Sequence, residues 1–455
     1  MKMHSRLARA LAVAVAAVTV AACSGPQSTA EGAKPDTPAA SVGQTVPALD
    51  RAGWSDSVYD KLTGLIAESA GQGKTVVFDF DNTTQARDIG EAVLALVQQN
   101  GVIDPRTLSP AMFPPFTTAG GKPAAVSDGV FDYYEAVLDS GGDADPFREY
   151  SSLPMPASAF TGRTVADFVA QTSAVYDGGS GAADLTSGKQ SKILGAGRPF
   201  IYPQMADLYG NLRANGYDVW VVSAGVGWAV RWMVRNALNP AIVAKYGQDA
   251  AFPLDRVIAI SMLMKDRSTG KLVSDYQLTR QTPDPAYINL EPPRISQLEI
   301  LGLPDGLESW RGGKAGAIDN IITRGEVFMV AGDSMGDVEM LSRAPNRLVI
   351  SRMNKPDLAA GFAAEIDKAP DANWMLQPAI NTAPVGFLRS KCEMAAKAAA
   401  DAEETAKNDK SLATLEGTGR RGPSLTADSA SRVCTWCLTG LHRGVAWIAY
   451  LYRSA

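Results

Sequence analysis

Histidine is nearly missing from this chain: the 455 residues hold two, His4 and His442, one near each end. The body between them therefore contains no Ser-His-Asp triad, no His-ligated zinc and no histidine general base. A block of clustered Lys and Arg is also missing and the formal charge is −5, which removes the electrostatic footprint that nucleic-acid binding requires. Near the N-terminus the apolar run Ala10 to Val20 is too short for a transmembrane helix. Hydrolytic chemistry in the body must then run on carboxylates, hydroxyls, lysine or an oxygen-bound metal. With 46% hydrophobic residues, the chain can bury a large core arranged as two or three globular units.

The first residues are Lys2, Arg6 and Arg9, then the apolar run, then Ala21-Ala22-Cys23-Ser24, the order of an export signal. Val20-Ala21-Ala22-Cys23 resembles a bacterial lipobox. That resemblance implies removal of residues 1–22, lipidation of Cys23 and anchoring to the extracytoplasmic side of a bacterial membrane in the cell envelope. Ser24 to about Asp50 is rich in Ser, Ala, Pro, Thr and Gly and reads as a flexible tether with a root-mean-square span of roughly 30 Å. At the other end, Lys391 to Lys410 reads as a helix within an extension, 391–455, to which the sequence assigns no role. Cys392, Cys434, Cys437 and His442 could form a zinc set, although outside the cytoplasm a disulfide between two of the thiols is the better expectation.

The chemistry concentrates in four segments. Thr75-Val76-Val77-Phe78 is an apolar run that stops at Asp79-Phe80-Asp81-Asn82-Thr83-Thr84, as a strand buried on both faces stops at the ligand-binding edge of a parallel sheet. Asn-Gly-Tyr (215–217) caps a helix expected over Met205–Asn215 and leads into a strand ending at Ser223-Ala224-Gly225, with another helix starting near Val226. Gly312-Gly313-Lys314 opens a short helix, where a lysine is unfavourable unless an anion balances it. A further apolar run ends at Gly332-Asp333-Ser334-Met335-Gly336-Asp337, and clustered carboxylates without His or Cys suit Mg²⁺.

Taken in order, these four segments resemble the haloacid dehalogenase superfamily. The likeness covers residues 74–100, 200–238 and 310–353, and implies an α/β fold with a doubly wound parallel sheet. It also implies Asp79 as nucleophile, Asp81 as acid and base, and Thr83 orienting Asp81. Thr83, Ser223, Ala224 and Lys314 would serve the phosphoryl group, and Asp79, Asp81 (through its carbonyl), Asp333 and Asp337 would serve Mg²⁺. An acid at Asp81 marks phosphoryl transfer, because an alkoxide leaving group needs a proton and a halide does not.

About 115 residues separate Thr84 from the helix before Ser223, far more than a crossover requires. The likeness implies a mainly helical cap at 91–197 inserted in a core of 51–90 and 198–390. A hairpin expected between Arg256 and Leu272 is similar to one in the phosphoserine phosphatase-like branch. Within that branch, Asp-Phe-Asp-Asn-Thr-Thr with Ser-Ala-Gly is most similar to the secreted bacterial phosphorylcholine phosphatases, with Asn82 where glycine is usual. A choline head group is a cation suited to aromatic faces, and Asp132, Tyr133, Tyr134 and Glu135 are the candidates to hold it. The expected activity is phosphomonoester hydrolysis on a small molecule. A solute-binding lipoprotein and a phosphotransferase are the alternatives, and the sequence leaves the oligomeric state open.

Overall fold

A computed structural model describes residues 45–140, 150–177, 199–305, 309–322, 327–380, 386–389, 393–394 and 402–418. Cys23, the tether up to residue 44, Cys392, Cys434, Cys437 and His442 lie outside the described residues. Among the described residues, no helix is long and apolar enough to cross a membrane.

The centre is a seven-stranded sheet made of β1 (Thr75–Phe78), β2 (Asp218–Val226), β3 (Val257–Ile260), β4 (Met329–Gly332), β5 (Asn346–Arg352), β6 (Asn373–Ile380) and β7 (Gly386–Phe387). Its spatial order is β7-β6-β5-β4-β1-β2-β3. Every pairing is parallel except that of β6 with the short edge strand β7. From β1 the chain builds outward through β2 and β3, then returns to lay β4, β5 and β6 on the other side. The order therefore reverses at β1 and β4, and in open α/β sheets the ligand crevice lies beyond the carboxyl ends of the strands at that point.

The strands are apolar on both faces because helices cover both. Along β1 and β2, Val76, Phe78, Val219 and Val221 enter one apolar cluster, and the alternate residues Val77, Trp220 and Val222 enter another. This is the period-two alternation of a strand buried on two sides. Helices Ile89–Gln99, Val130–Asp139 and Val165–Asp177 contribute Val93, Phe131, Tyr134 and Phe168 to the first cluster. They share the core of the sheet face they cover. Each large aromatic buried there is worth about 1.5–3 kcal/mol of transfer free energy.

Two sequence expectations shift. The helix before β2 spans Pro203–Ala214, beginning at a proline whose missing N–H costs nothing in the first turn. The hairpin comprises Met262–Asp266 and Leu272–Ser274, joined by a third strand, Leu298–Pro304; Val257–Ile260 instead pairs parallel with β2 in the main sheet. At the break stands Ser261, whose Oγ accepts the Tyr276 N–H. The C-terminal helix is found at Ala402–Glu416 and packs Leu412 and Leu415 into the second cluster.

Candidate active site

β1 ends at Phe78, and the Asp79 N–H still donates to the Ala331 carbonyl of β4 at 2.9 Å. Sheet pairing thus fixes the backbone of the first aspartate. The chain then folds tightly: the N–H groups of Thr83, Thr84 and Gln85 all point at the Phe80 carbonyl, and the Thr84 hydroxyl donates to the Asp79 carbonyl at 2.7 Å. Asn82 has φ 58°, the left-handed angle that asparagine tolerates better than most residues.

Asp79 is 5% exposed, and both of its oxygens are engaged. Lys314 Nζ donates to Oδ1 at 2.6 Å and the Thr83 hydroxyl to Oδ2 at 3.1 Å. Lys314 also donates to Asp337 Oδ1 at 2.6 Å. The anions that balance this early-helix lysine in helix Gly312–Ala317 are therefore the site's own carboxylates. Asp337 Oδ2 accepts the N–H groups of Asp333 and Ser334 and the Ser334 hydroxyl, each at 3.0 Å, which ties the loop after β4 into one turn. Gly332 makes that turn possible, since a Cβ there would stand 2.6 Å from the Asp337 Cβ.

Charges follow from this geometry. Burial pushes the Asp79 carboxyl up to about 6, with Lys314 pulling the other way and Asp337 adding to the rise. Burial opposes the charge on Lys314, yet Asp337 and Asp79 outweigh it and raise the ammonium above its usual range. Asp337 is lowered despite burial because Lys314 and two backbone N–H groups hold its charged form. Asp333 is raised well above the carboxylate range, first by burial.

Oxygens of Asp79, Asp333 and Asp337 lie within 4.8 Å of one another. Asp333 Oδ2 is buried without a hydrogen bond; Arg352 Nε stands 2.8 Å away, close enough for an ion pair but not aligned for a hydrogen bond. Three carboxyl groups face two cations, Lys314 and Arg352, so full ionisation would leave one negative charge in excess. An all-oxygen set with an unsatisfied acceptor and excess negative charge fits a hard divalent cation.

Asp81 departs from expectation. Its Oδ1 accepts Gln85 Nε2 at 2.5 Å and the Ile89 N–H at 3.1 Å, so Gln85 and the start of helix Ile89–Gln99 orient it. Thr83 does not: its hydroxyl faces Asp79 and Asp333 Oδ1, at 3.1 and 3.2 Å. Burial, then Asp88 and Asp79, push the Asp81 carboxyl well above its usual range. Gly225 passes so close that a Cβ would stand 2.9 Å from Asp81 Oδ2 and 3.2 Å from Ser223 Oγ. Ser223 is buried and its Oγ accepts the Gly225 N–H at 3.0 Å, leaving its hydroxyl hydrogen to donate elsewhere. The following residue, Ala224, is half-buried within β2.

Next to Asn82 opens a cavity of about 360 Å³ whose walls include Phe131, the acids Asp88, Glu91, Glu135 and Asp139, and the cations Arg87, Arg352 and Lys355. Burial and then Asp88 push Glu91 up to about 8, against the pull of Arg352. Of the expected cation-holding residues, Glu135 lines this cavity, and the Tyr134 hydroxyl donates to Glu91 Oε1 at 3.4 Å. Tyr133 instead donates to the Pro114 carbonyl and packs edge-on against Phe113 and Phe116. Asp132 is exposed and accepts Gln98 Nε2. Glu91, Asp88, Gln85 and Arg352 escaped the sequence reading. The Asp88-x-x-Glu91 spacing was a visible N-cap signal, and Asp88 does accept the Glu91 N–H at 3.0 Å, but nothing in that spacing marks a cavity.

A carboxylate held between a buried ammonium and a cluster of acids, with a second carboxyl two residues on whose protonated form burial favours, is equipped to take up a phosphoryl group and to protonate what leaves. The four ordered segments converge on one sheet edge, in the arrangement that their resemblance to the haloacid dehalogenase superfamily implies. No protein-family model matches it. It is 27% identical over 355 residues to the phosphorylcholine phosphatase of Pseudomonas aeruginosa, an alignment covering 74% of this chain and 94% of that protein. Among solved structures, a functionally unknown protein from Anaerococcus prevotii is 18% identical with TM-score 0.45, covering 72% of this chain and 94% of that one. A phospho-aspartyl intermediate analogue of phosphoserine phosphatase is 14% identical with TM-score 0.30, covering 61% and 86%.

Proposed function

We propose that the protein hydrolyses small phosphomonoesters whose leaving group carries a positive charge, phosphocholine among them, in a Mg²⁺-dependent reaction through a phosphorylated Asp79. The observation that carries this reading is the cavity next to Asn82, one residue on from Asp81, in which Asp88, Glu91, Glu135 and Asp139 outnumber Arg87, Arg352 and Lys355. The name of the Pseudomonas relative supports it.

The steps follow from the groups in place. Asp79 attacks phosphorus, so that a bond forms from its carboxylate and the bond to the ester oxygen breaks. Asp81, whose protonated form is favoured by burial and by Asp88 and Asp79, gives a proton to the departing alkoxide and, once ionised, takes one from the water that cleaves the acyl phosphate. Lys314 offsets the charge that Asp79 shares with the phosphoryl oxygens, and the Ser223 hydroxyl, with the Ala224 amide beside it, donates to those oxygens. Mg²⁺ held by Asp79, Asp333 and Asp337, with the Asp81 carbonyl, would cancel the repulsion between a carboxylate and a phosphate dianion. In this reading, 91–197 is the cap that selects the leaving group, and Asp88, Glu91, Glu135 and the Phe131 face receive the cation.

The test is phosphate release, with and without Mg²⁺, from phosphocholine, phosphoethanolamine, glycerol phosphate and 4-nitrophenyl phosphate. Metal-dependent release that favours the cationic esters is expected. A folded protein that binds phosphocholine and returns it unchanged would be a binding protein instead. Diversion of the phosphoryl group to added alcohols would make it a phosphotransferase.

Export and anchoring through Cys23 complete the proposal, supported by the basic, apolar and small-residue order of residues 1–24. The mass of the mature N-terminus tests it. A lipidated Cys23 is expected, and an unmodified Cys23 or cleavage elsewhere would refute the anchor.

A further inference from the structure

The cavity next to Asn82 is not purely acidic: Arg87, Arg352 and Lys355 line it with Asp88, Glu91, Glu135 and Asp139, and of the three cations Arg352 is paired with Asp333 of the catalytic cluster. Arg352, at the end of β5, places its guanidinium in the wall that also holds Asp88 and Glu91. Its Nε is 2.8 Å from Asp333 Oδ2, and its side chain is 18% exposed. The segment after it is anchored from two directions. The Met353 N–H donates to the Ala379 carbonyl of β6 at 2.9 Å, and the Met353 carbonyl accepts the Ser411 hydroxyl of helix Ala402–Glu416 at 2.5 Å. The guanidinium is thus a fixed positive charge inside the cavity that receives the leaving group. It acts on both neighbouring carboxyls, favouring the charged forms of Asp88 and Glu91.

We propose that Arg352 is a specificity-determining residue that tempers the cavity's preference for cations, so that the same site also accepts phosphate esters of uncharged polar alcohols. The proposal rests on the phosphatase reading above. An acidic wall alone would draw in cations and exclude the rest. A fixed guanidinium among Asp88, Glu91 and Glu135 lowers the negative potential that a cationic leaving group feels, and gives a hydroxyl-bearing one a donor to meet. The effect acts on leaving-group binding, and separately on activity through Asp333, so it is read as a ratio between substrates rather than as a rate.

The experiment compares kcat/KM for phosphocholine and for glycerol phosphate in the wild type, Arg352→Met, Arg352→Gln and Arg352→Lys, with calorimetric binding of choline to each protein as a second readout. Arg352→Met and Arg352→Gln should raise the phosphocholine-to-glycerol phosphate ratio about ten-fold, as expected for removing one like charge at close range in a partly desolvated site. Both should bind choline more tightly, whereas Arg352→Lys, which keeps the charge, should stay near the wild-type ratio. Glutamine keeps a donor toward Asp333, so it separates charge from support of that carboxylate even where methionine unfolds the protein. An unchanged ratio in Arg352→Gln, or an equal loss on both esters with unchanged choline binding, overturns the proposal while leaving the phosphatase reading standing. Wild-type protein that releases phosphate from neither ester overturns both.

Discussion

Two acidic clusters lie side by side at the edge of the sheet and are built on opposite principles. Around Asp79, the carboxylates are locked to a buried cation: Lys314 reaches Asp79 and Asp337 at 2.6 Å each, and Asp337 is lowered as a result. Around Glu91, the acids crowd one another, and Glu91 is pushed up to about 8 by burial and by Asp88. The first cluster holds its carboxyl groups on Lys314 before any ligand arrives, the preorganised geometry that electrostatic catalysis requires. The second keeps its acids crowded against one another, with Arg352 as a partial counter-charge. In the proposed reading, the difference separates the place of chemistry from the place of selection.

The most severe way to break this division is Asp79→Asn, which removes the proposed nucleophile while keeping its shape. Turnover on every ester should fall by more than about 10³-fold, measured as phosphate release, with substrate binding retained. Next comes Lys314→Met, which leaves two buried carboxylates without their cation. Denaturant unfolding should show a loss of about 3–5 kcal/mol, and release should fall on all substrates alike. A variant as stable as the wild type would mean that the lysine does not bind this cluster together.

The second cluster should respond selectively. Above pH 8, where Glu91 is charged, Glu91→Gln should lower kcat/KM about ten-fold for phosphocholine, in line with removal of one charge facing a cationic ligand, while moving glycerol phosphate far less. The smallest effect is on pH. A carboxyl raised to about 8 is mostly protonated below that value and charged above it, so the preference for phosphocholine over glycerol phosphate should grow a few-fold as pH rises through 8. The groups facing Glu91 are Asp88, Tyr134, Glu135 and Arg352. The pH dependence should vanish in Glu91→Gln; if it persists there, another group reads the cation.

The catalytic cluster was legible in the sequence because its residues follow apolar runs directly. Once Val76 to Phe78 are seen as a doubly buried strand, Asp79 and Asp81 must emerge at its end, and the same logic places Ser223 and Asp333. The left-handed angle at Asn82 could also be expected from residue type. What stayed hidden depends on contacts between distant segments. Arg352 meets Asp333 only because β5 lies beside β4, and Glu91 meets Glu135 only because two helices of the insertion converge on one cavity. Thr83 was given the wrong partner because a hydroxyl two residues from Asp81 can face either carboxylate, and only the fold turns it to Asp79. The boundary at Ser261 was missed because an apolar run that continues through Met264 gives no periodic sign of where the chain leaves one sheet for another.

The central claim is that Asp79 carries the phosphoryl group. Rapid quenching during turnover of phosphocholine with Mg²⁺, followed by borohydride reduction and peptide mass spectrometry, tests it most directly, because an acyl phosphate is reduced to the alcohol. The account predicts homoserine in place of aspartate at position 79, only when substrate is present. Full turnover with position 79 unmodified, or with the modification at Asp81 or Asp333, would contradict it.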